Sequence, residues 1–471
     1  DSAGNRLTST NYRDGAPLTT NYSYDALSRL VSITDPLNHT TSFSYDALGN
    51  RTKIIDAKLR ETQYSYDALN RLIQIEQKGI TPSAITTFSY DAVGNLLKVT
   101  DPENSTTSYS YDRLSRRISV TQPLLQAVST TYDDRGRVST MINARGHKIQ
   151  YNYLAWGPVE VVNYYDSVAA PTPSRTVSYT YDYNGNITSV TDDNLQATPV
   201  YQLSYDNLNR MDTATVAYIP SQSLNLSYQY DRFGNRDQLS LDDGSTSTHG
   251  YAFNDLNNLT SITLPDTSEV NLSYYDDAGL IKQIIYPNGV TTTLQYQNNG
   301  PIQSLSTQTS TLATLEQRSY THDPVLNILT QNSTREGGEH SYDYDGLNHL
   351  IQAIHPPATG LVQENYSYDN VGNRENPTNL NQYDYDGNHR ITKNGSLTYN
   401  FDPDGNLQTR NDGSSYTHNK DNRLIQYSNG STIATYQHDP AGRRISKTVD
   451  GNTTWFVWDG SQLLAEYNGS G

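Results

Sequence analysis

Three groups of residues in this chain have the types that could do chemistry. The first is a set of aspartates that each follow an aromatic residue. Two carboxylates can act as acid and base, or hold a divalent cation, when the fold brings them to one locus. These aspartates instead recur at near-constant spacing, each before a Gly, Asn or Ser. An Asp so placed accepts hydrogen bonds from amides two residues on and closes a turn with its own side chain. The second group is Asn400-Phe401-Asp402-Pro403-Asp404-Gly405, a partial match to the calcium loop D-x-[DN]-x-[DN]-G-x5-E. The twelfth place holds Asn411 instead of a bidentate Glu, and no flanking helices are expected, so Asn400, Asp402 and Asp404 are a weak calcium candidate and the turn reading is preferred. The third group is His340, His349 and His355 near Glu339, which lack the spacing of a metal motif. His322, His418 and His438 stand where other copies carry tyrosine and read as aromatic substitutes. No GxSxG, P-loop or GxGxxG stretch occurs. No catalytic residue, cofactor or metal is therefore assigned.

The elements that carry these residues repeat. Taking the aromatic before each Asp as an anchor, the clear copies are Tyr24, Tyr45, Tyr66, Tyr90, Tyr111, Tyr132, Tyr181, Tyr205, Tyr230, Tyr275, Tyr344, Tyr368 and Tyr385. Degenerate copies extend the series to Trp458, making 20 steps over 434 residues, about 21.7 residues each. Such a period marks a repeat architecture. A second aromatic usually sits two residues before the anchor, on the same face of a strand. Four residues after the anchor comes Gly (Gly49, Gly94, Gly136) or Asn (Asn70, Asn209, Asn348), types that accept positive φ. Alternating β-branched and polar residues follow, as in Arg117-Ile118-Ser119-Val120, and read as a return strand. Each unit is thus one β-hairpin. The expected fold is all-β, with tandem hairpins forming one long spiralling antiparallel sheet, and successive tyrosines are expected to stack as a ladder.

The expected organisation is a single continuous array over 1–471. Residues 1–371 hold regular repeats, with a longer step at 153–181 that should protrude. Residues 372–437 hold shorter repeats, and 438–471 the last hairpins. With 39 Tyr, 6 Phe and 34% hydrophobic residues, a solid centre is poorly supplied, so a hollow shell or an open strip is expected. The absence of cysteine excludes disulfides. A net charge of −17 argues against nucleic acid as a partner, and no apolar run reaches the length of a membrane span.

The stretches YDALGNR, YDRLSRR, YDRFGNR and HDPAGRR resemble the YD-repeat, or Rhs-repeat, family over essentially the whole chain. The resemblance implies a strip of strands coiled into a shell, as in Rhs toxins, the C-component of Tc toxins and teneurins. It places 438–467 just before the family's Rhs-associated core, whose self-cleavage motif has no counterpart here. The implied function is a non-enzymatic shell or scaffold segment of a larger secreted bacterial protein, enclosing or displaying a C-terminal toxin. The alternative is an extracellular structural or adhesive surface element, a filament or carbohydrate-binding scaffold; a polysaccharide-degrading enzyme ranks last. Expected partners are an enclosed toxin or other parts of the parent polypeptide, then a glycan or self-association. The expected location is secreted, extracellular or at the cell surface.

Overall fold

A computed structural model describes residues 1–195, 200–220, 222–275, 279–375 and 383–469. Among them the only helical element is a single 3-10 turn, Pro357–Thr359. Everything else regular is strand, and paired neighbours run antiparallel, as the short turns that join them require. The largest sheet has 32 strands and a second has 10. Residues 166–174, within the long step, form a largely exposed loop between the strands Val159–Tyr165 and Arg175–Tyr181.

Each hairpin has two kinds of turn. The tip, which carries the Tyr-Asp motif, joins its two strands; the inter-hairpin turn leads to the next hairpin. At the tips φ is positive at Gly49, Asn70, Gly94, Gly136, Asn209 and Asn348, where a left-handed residue reverses the chain. At most tips the strand leaving the tip carries a β-bulge opposite the anchor: Thr52 is the extra residue facing Ser44 and Tyr45, and Ile73 the one facing Ser65 and Tyr66. A bulge adds one residue to one strand and strengthens local twist. Repeated at most tips, it adds local twist at regular intervals along the sheet.

The chain divides into two compact units, each assembled from two distant segments. The first comprises 1–106 and 251–380. Within it, inter-hairpin turns of the early segment meet tips of the late one. Asp35 accepts a bond from Asn299 (3.0 Å), Lys58 pairs with Asp323 (2.9 Å), and Arg60 donates to Asn348 (2.7 Å). Gly79 and Gly346 let two backbones approach so closely that a Cβ on either would overlap the other's carbonyl. Gly346→Ala is therefore expected to cost about 1–3 kcal/mol by forcing these turns apart. A lowered denaturant midpoint at unchanged slope would show it; an unchanged midpoint would mean the turns separate freely.

The second unit comprises 107–250 and 381–471. It contains nearly all the fully buried apolar side chains of the described residues; Ala84, Tyr275 and Ala353 are the exceptions. The strand Leu224–Tyr230 alternates buried Leu224, Leu226 and Tyr228 with exposed residues, the period of a one-sided sheet. Val177, Val216 and Leu239 share its unit with Ile445, Phe456 and Val457. Tyr218 donates to the Phe456 carbonyl at 2.7 Å, tying the two segments across this layer. A chain-wide average of 34% hydrophobic residues hides how unevenly they are distributed.

Candidate functional site

The candidate aspartates are built into one recurring arrangement. Asp25 Oδ1 accepts the amides of Leu27 (2.9 Å) and Arg29 (3.0 Å), and its Oδ2 takes Arg29 Nε (2.7 Å). Asp67 does the same with Leu69 and Arg71. The Arg29 amide leads in holding Asp25 below the usual carboxylate range, and the Arg71 amide does so for Asp67. The same arginine then reaches forward: Arg29 donates to the Asp46 carbonyl (2.8 Å) and lies 4.9 Å from the Tyr45 ring. Arg71 repeats this with the Asp91 carbonyl (2.7 Å) and the Tyr90 ring (4.9 Å). Each Asp–Arg pair therefore clamps the next anchor.

The anchor hydroxyl points backward. Tyr24, Tyr45, Tyr66, Tyr90, Tyr132, Tyr181, Tyr205, Tyr230, Tyr344 and Tyr368 each donate to a backbone carbonyl of preceding sequence, at 2.6–3.0 Å. Trp458 does so with its indole nitrogen, to the Arg444 carbonyl (3.0 Å). Tyr111 and Tyr385 occupy the same position opposite the bulge. The copy assigned to Tyr275 is corrected: Tyr274 faces the bulge and donates to the Leu259 carbonyl (2.7 Å), while Tyr275 donates forward to the Leu294 carbonyl (2.9 Å). An extra residue in that tip shifts the register by one. The expected tyrosine ladder is also corrected. Most anchors are only partly buried, and an arginine of the preceding tip lies over the Tyr45, Tyr90, Tyr132 and Tyr153 rings; direct ring contact between neighbouring repeats is seen where Tyr275 meets Tyr296 edge-on at 5.9 Å.

The inter-hairpin turns use the same device. Asp35, Asp56 and Asp101 each accept two amides of their own turn, with Asn38, Leu59 and Asn104 at positive φ. The sequence signal was the Asp five residues before the next strand; the leucine at positive φ concealed it.

The calcium candidate is not assembled. Asn400 bonds Thr409 (3.1 Å), Asp402 closes its own turn onto Asn406, and Asp404 is taken by Arg145 Nε at 2.6 Å. Asp404 also accepts from Asn143 (2.7 Å) and the Ala144 amide (2.8 Å). A guanidinium already supplies positive charge there, and no group of three or more metal-ligating side chains is found among the described residues.

The histidines divide by role. His340 and His355 meet through their Nδ1 atoms (2.8 Å), with Glu336 rather than Glu339 on His340 Nε2 (3.0 Å). His349 sits apart in a tip, its Nδ1 2.9 Å from Asp345. His322, His418 and His438 occupy anchor positions, and burial lowers the pKa of each. An imidazole held neutral in the fold but ordinary when unfolded gives stability that is full above about pH 6.5 and is lost as pH falls through the folded value. The melting temperature should therefore fall between about pH 7 and pH 5, before the turn carboxylates titrate, and fall less in a His322→Phe/His418→Phe/His438→Phe variant. Equal falls in both proteins would refute the assignment.

The most concentrated buried charge was not foreseen. Arg175 donates to Asp192 through Nε (3.1 Å) and Nη2 (2.6 Å), and through Nη1 to Asp421 (2.7 Å). Nearby, Asp439 takes the Tyr201 hydroxyl (2.8 Å) and Arg443 Nε (2.7 Å). Arg175 borders a cavity of about 290 Å³ whose ionisable lining includes Tyr164, Asp192, Lys420 and His438. The Asp192 carboxylate is paired with the Arg175 guanidinium, so this cluster joins segments of the second unit.

Asp-closed turns, arginine clamps and back-bonded tyrosines, repeated along an antiparallel sheet, define a tandem β-hairpin repeat protein of the Tyr-Asp type. The chain belongs to the teneurin YD-shell family, whose model matches residues 3–128 and 314–462. It is 25% identical over 403 residues to double-stranded DNA deaminase toxin A of Burkholderia cenocepacia, covering 72% of this chain and 27% of that protein. It is 26% identical over 242 residues to the tRNA3(Ser)-specific nuclease WapA of Bacillus spizizenii, covering 47% of this chain and 10% of that one. Among solved structures, TcdB2-TccC3 superposes with a TM-score of 0.79 at 16% identity, over 96% of this chain and 27% of that one. The Photorhabdus luminescens Tc holotoxin pore superposes with a TM-score of 0.76 at 17% identity, over 94% and 26%. The chain thus spans about a quarter or less of these proteins. No helix among the described residues is long and apolar enough to cross a membrane.

Proposed function

We propose that this chain is a non-enzymatic wall segment of a larger secreted bacterial protein, built to enclose or display a toxin encoded elsewhere in the same polypeptide. The observation that carries this reading is where the polar chemistry goes. Turn aspartates, their arginines and the anchor hydroxyls bond one another or the backbone, repeat after repeat. A wall needs such self-satisfied groups, whereas a catalytic site needs groups held ready for substrate. The toxin names of the relatives support it, since this chain matches only part of each protein. The net charge of −17 suits a basic guest and disfavours nucleic acid as a ligand of the wall itself.

Limited proteolysis of the parent polypeptide tests this. The toxin segment should resist protease while the wall is folded and become cleavable when the wall is destabilised at Arg175. Equal cleavage in both states would sink the enclosing role. Small-angle scattering of the chain alone should give a radius of gyration above the roughly 23 Å of a solid globule of this length.

A further inference from the structure

Two histidines of the first unit meet in a way that fixes how many protons they can share. His340, on the strand Gly338–Tyr344, is 6% exposed, and the His355 side chain, just after the strand Leu350–Ile354, is 10% exposed. Their Nδ1 atoms lie 2.8 Å apart, a distance that needs one hydrogen between them. Each outer nitrogen has a carboxylate: Glu336 at 3.0 Å from His340 Nε2, and Glu364 at 3.5 Å from His355 Nε2. The Tyr366 hydroxyl donates to Glu364 in turn (2.6 Å), and the Tyr342 ring lies parallel to His340. Beyond these lie Tyr320, near Tyr342, and Arg374, near Glu364 and over the Tyr366 ring. The strand Leu350–Ile354 and the loop 356–363 contain no ionisable residue.

Three protons on the four ring nitrogens satisfy every contact from Glu336 through His340 and His355 to Glu364. Each Nε2–H then donates to its carboxylate, and a single Nδ1–H joins the rings. A fourth proton sets two N–H groups against each other, in a place where little water can take up the lost bond. Loss of a proton costs only the longer Glu364 contact and leaves the Nδ1 bond in place. That bond spans the seam between two successive inter-hairpin turns, 333–338 and 355–363. The seam is tight: a Cβ on Gly337 or Gly338 would lie 2.8 Å from the side chain of Ala358 or Pro356.

We propose that His340 and His355 form an acid-opened clasp, in which a further proton parts the rings and lifts the loop 355–363 from the turn 333–338. The open form carries one proton more than the closed one. Closing is therefore strongest at high pH and weakens as pH falls through the histidine range, from about pH 8 to pH 5.

Hydrogen exchange of the whole chain at pH 7 and pH 5, corrected for the intrinsic pH dependence of exchange, tests it. The Glu336, Thr359, Gly360 and Leu361 amides, bonded within the two turns, should lose about tenfold protection or more at pH 5. The Asp-closed tip 67–71 contains no histidine and should keep its protection, which separates local opening from loosening of the whole unit. His355→Leu cannot make the bond, so protection of its two turns should be the same at both pH values. His355→Asn places an amide where Nδ1 stood and can turn either oxygen or nitrogen to His340, so its protection should not depend on pH either. Unchanged protection in the wild type, an equal loss at 67–71, or a variant that keeps the wild-type pH dependence would each overturn the proposal. The measurement needs neither guest nor parent polypeptide, so the wall reading stands or falls separately.

Discussion

Arg175→Ala is expected to destabilise the second unit by about 3–5 kcal/mol, the cost of leaving a buried carboxylate without its partner. Asp192 is 1% exposed, and the Arg175 guanidinium is its ion-pair partner. Burial alone would lower the Arg175 pKa, but the bonds to Asp192 keep the guanidinium firmly charged. The same side chain holds Asp421 of a turn more than two hundred residues later, so the substitution also releases the later segment. Hydrogen exchange should show protection lost along 175–192 and 415–428, and first there. A companion variant, Arg175→Met with Asp192→Leu, removes both charges and should recover most of the loss, because a well-packed apolar pair can replace a buried ion pair. If Arg175→Ala leaves the unfolding midpoint unchanged, water reaches Asp192 and the cluster is not a clasp.

Leu224→Ala is the second large effect, expected to cost about 2–5 kcal/mol through lost burial and the cavity left behind. Leu224 is wholly buried, on a strand whose neighbours Leu226 and Tyr228 face the same way. Leu27→Ala, at an exposed tip of the first unit, changes the same residue type and should stay within about 0.5 kcal/mol. The contrast separates leucines that hold a layer together from those that merely edge the sheet. Denaturant unfolding of both variants would measure it; equal losses would mean that the tip is buried in solution.

Several features were legible because they are local and periodic. The two-residue alternation, the aromatic anchor and the Gly or Asn four residues on specify a hairpin within some twenty residues, and DALGN and DALNR close as Asp-capped tips. Repetition makes such a signal stronger with every copy. The arginine clamp was half-visible: its residue was in the motif, but its targets, the next anchor's ring and the following Asp carbonyl, lie one repeat away. The extra residue after Tyr274 was hidden because Tyr274 and Tyr275 are both tyrosines, and only the register tells which one faces the bulge.

The repeating unit is written locally: hairpin, turn chemistry and the all-β class follow from contacts between residues close along the chain. Which distant turns meet is set by the fold as a whole. Arg145 on Asp404, Arg175 on Asp421 and Gly79 against Gly346 join residues more than two hundred positions apart. Such pairings depend on how far the bulged strands twist at each step, and small rotations accumulate over many hairpins before two turns come face to face. Twist is a sum over the whole sheet and is written at no single residue. For that reason the calcium-like loop became the seat of an arginine.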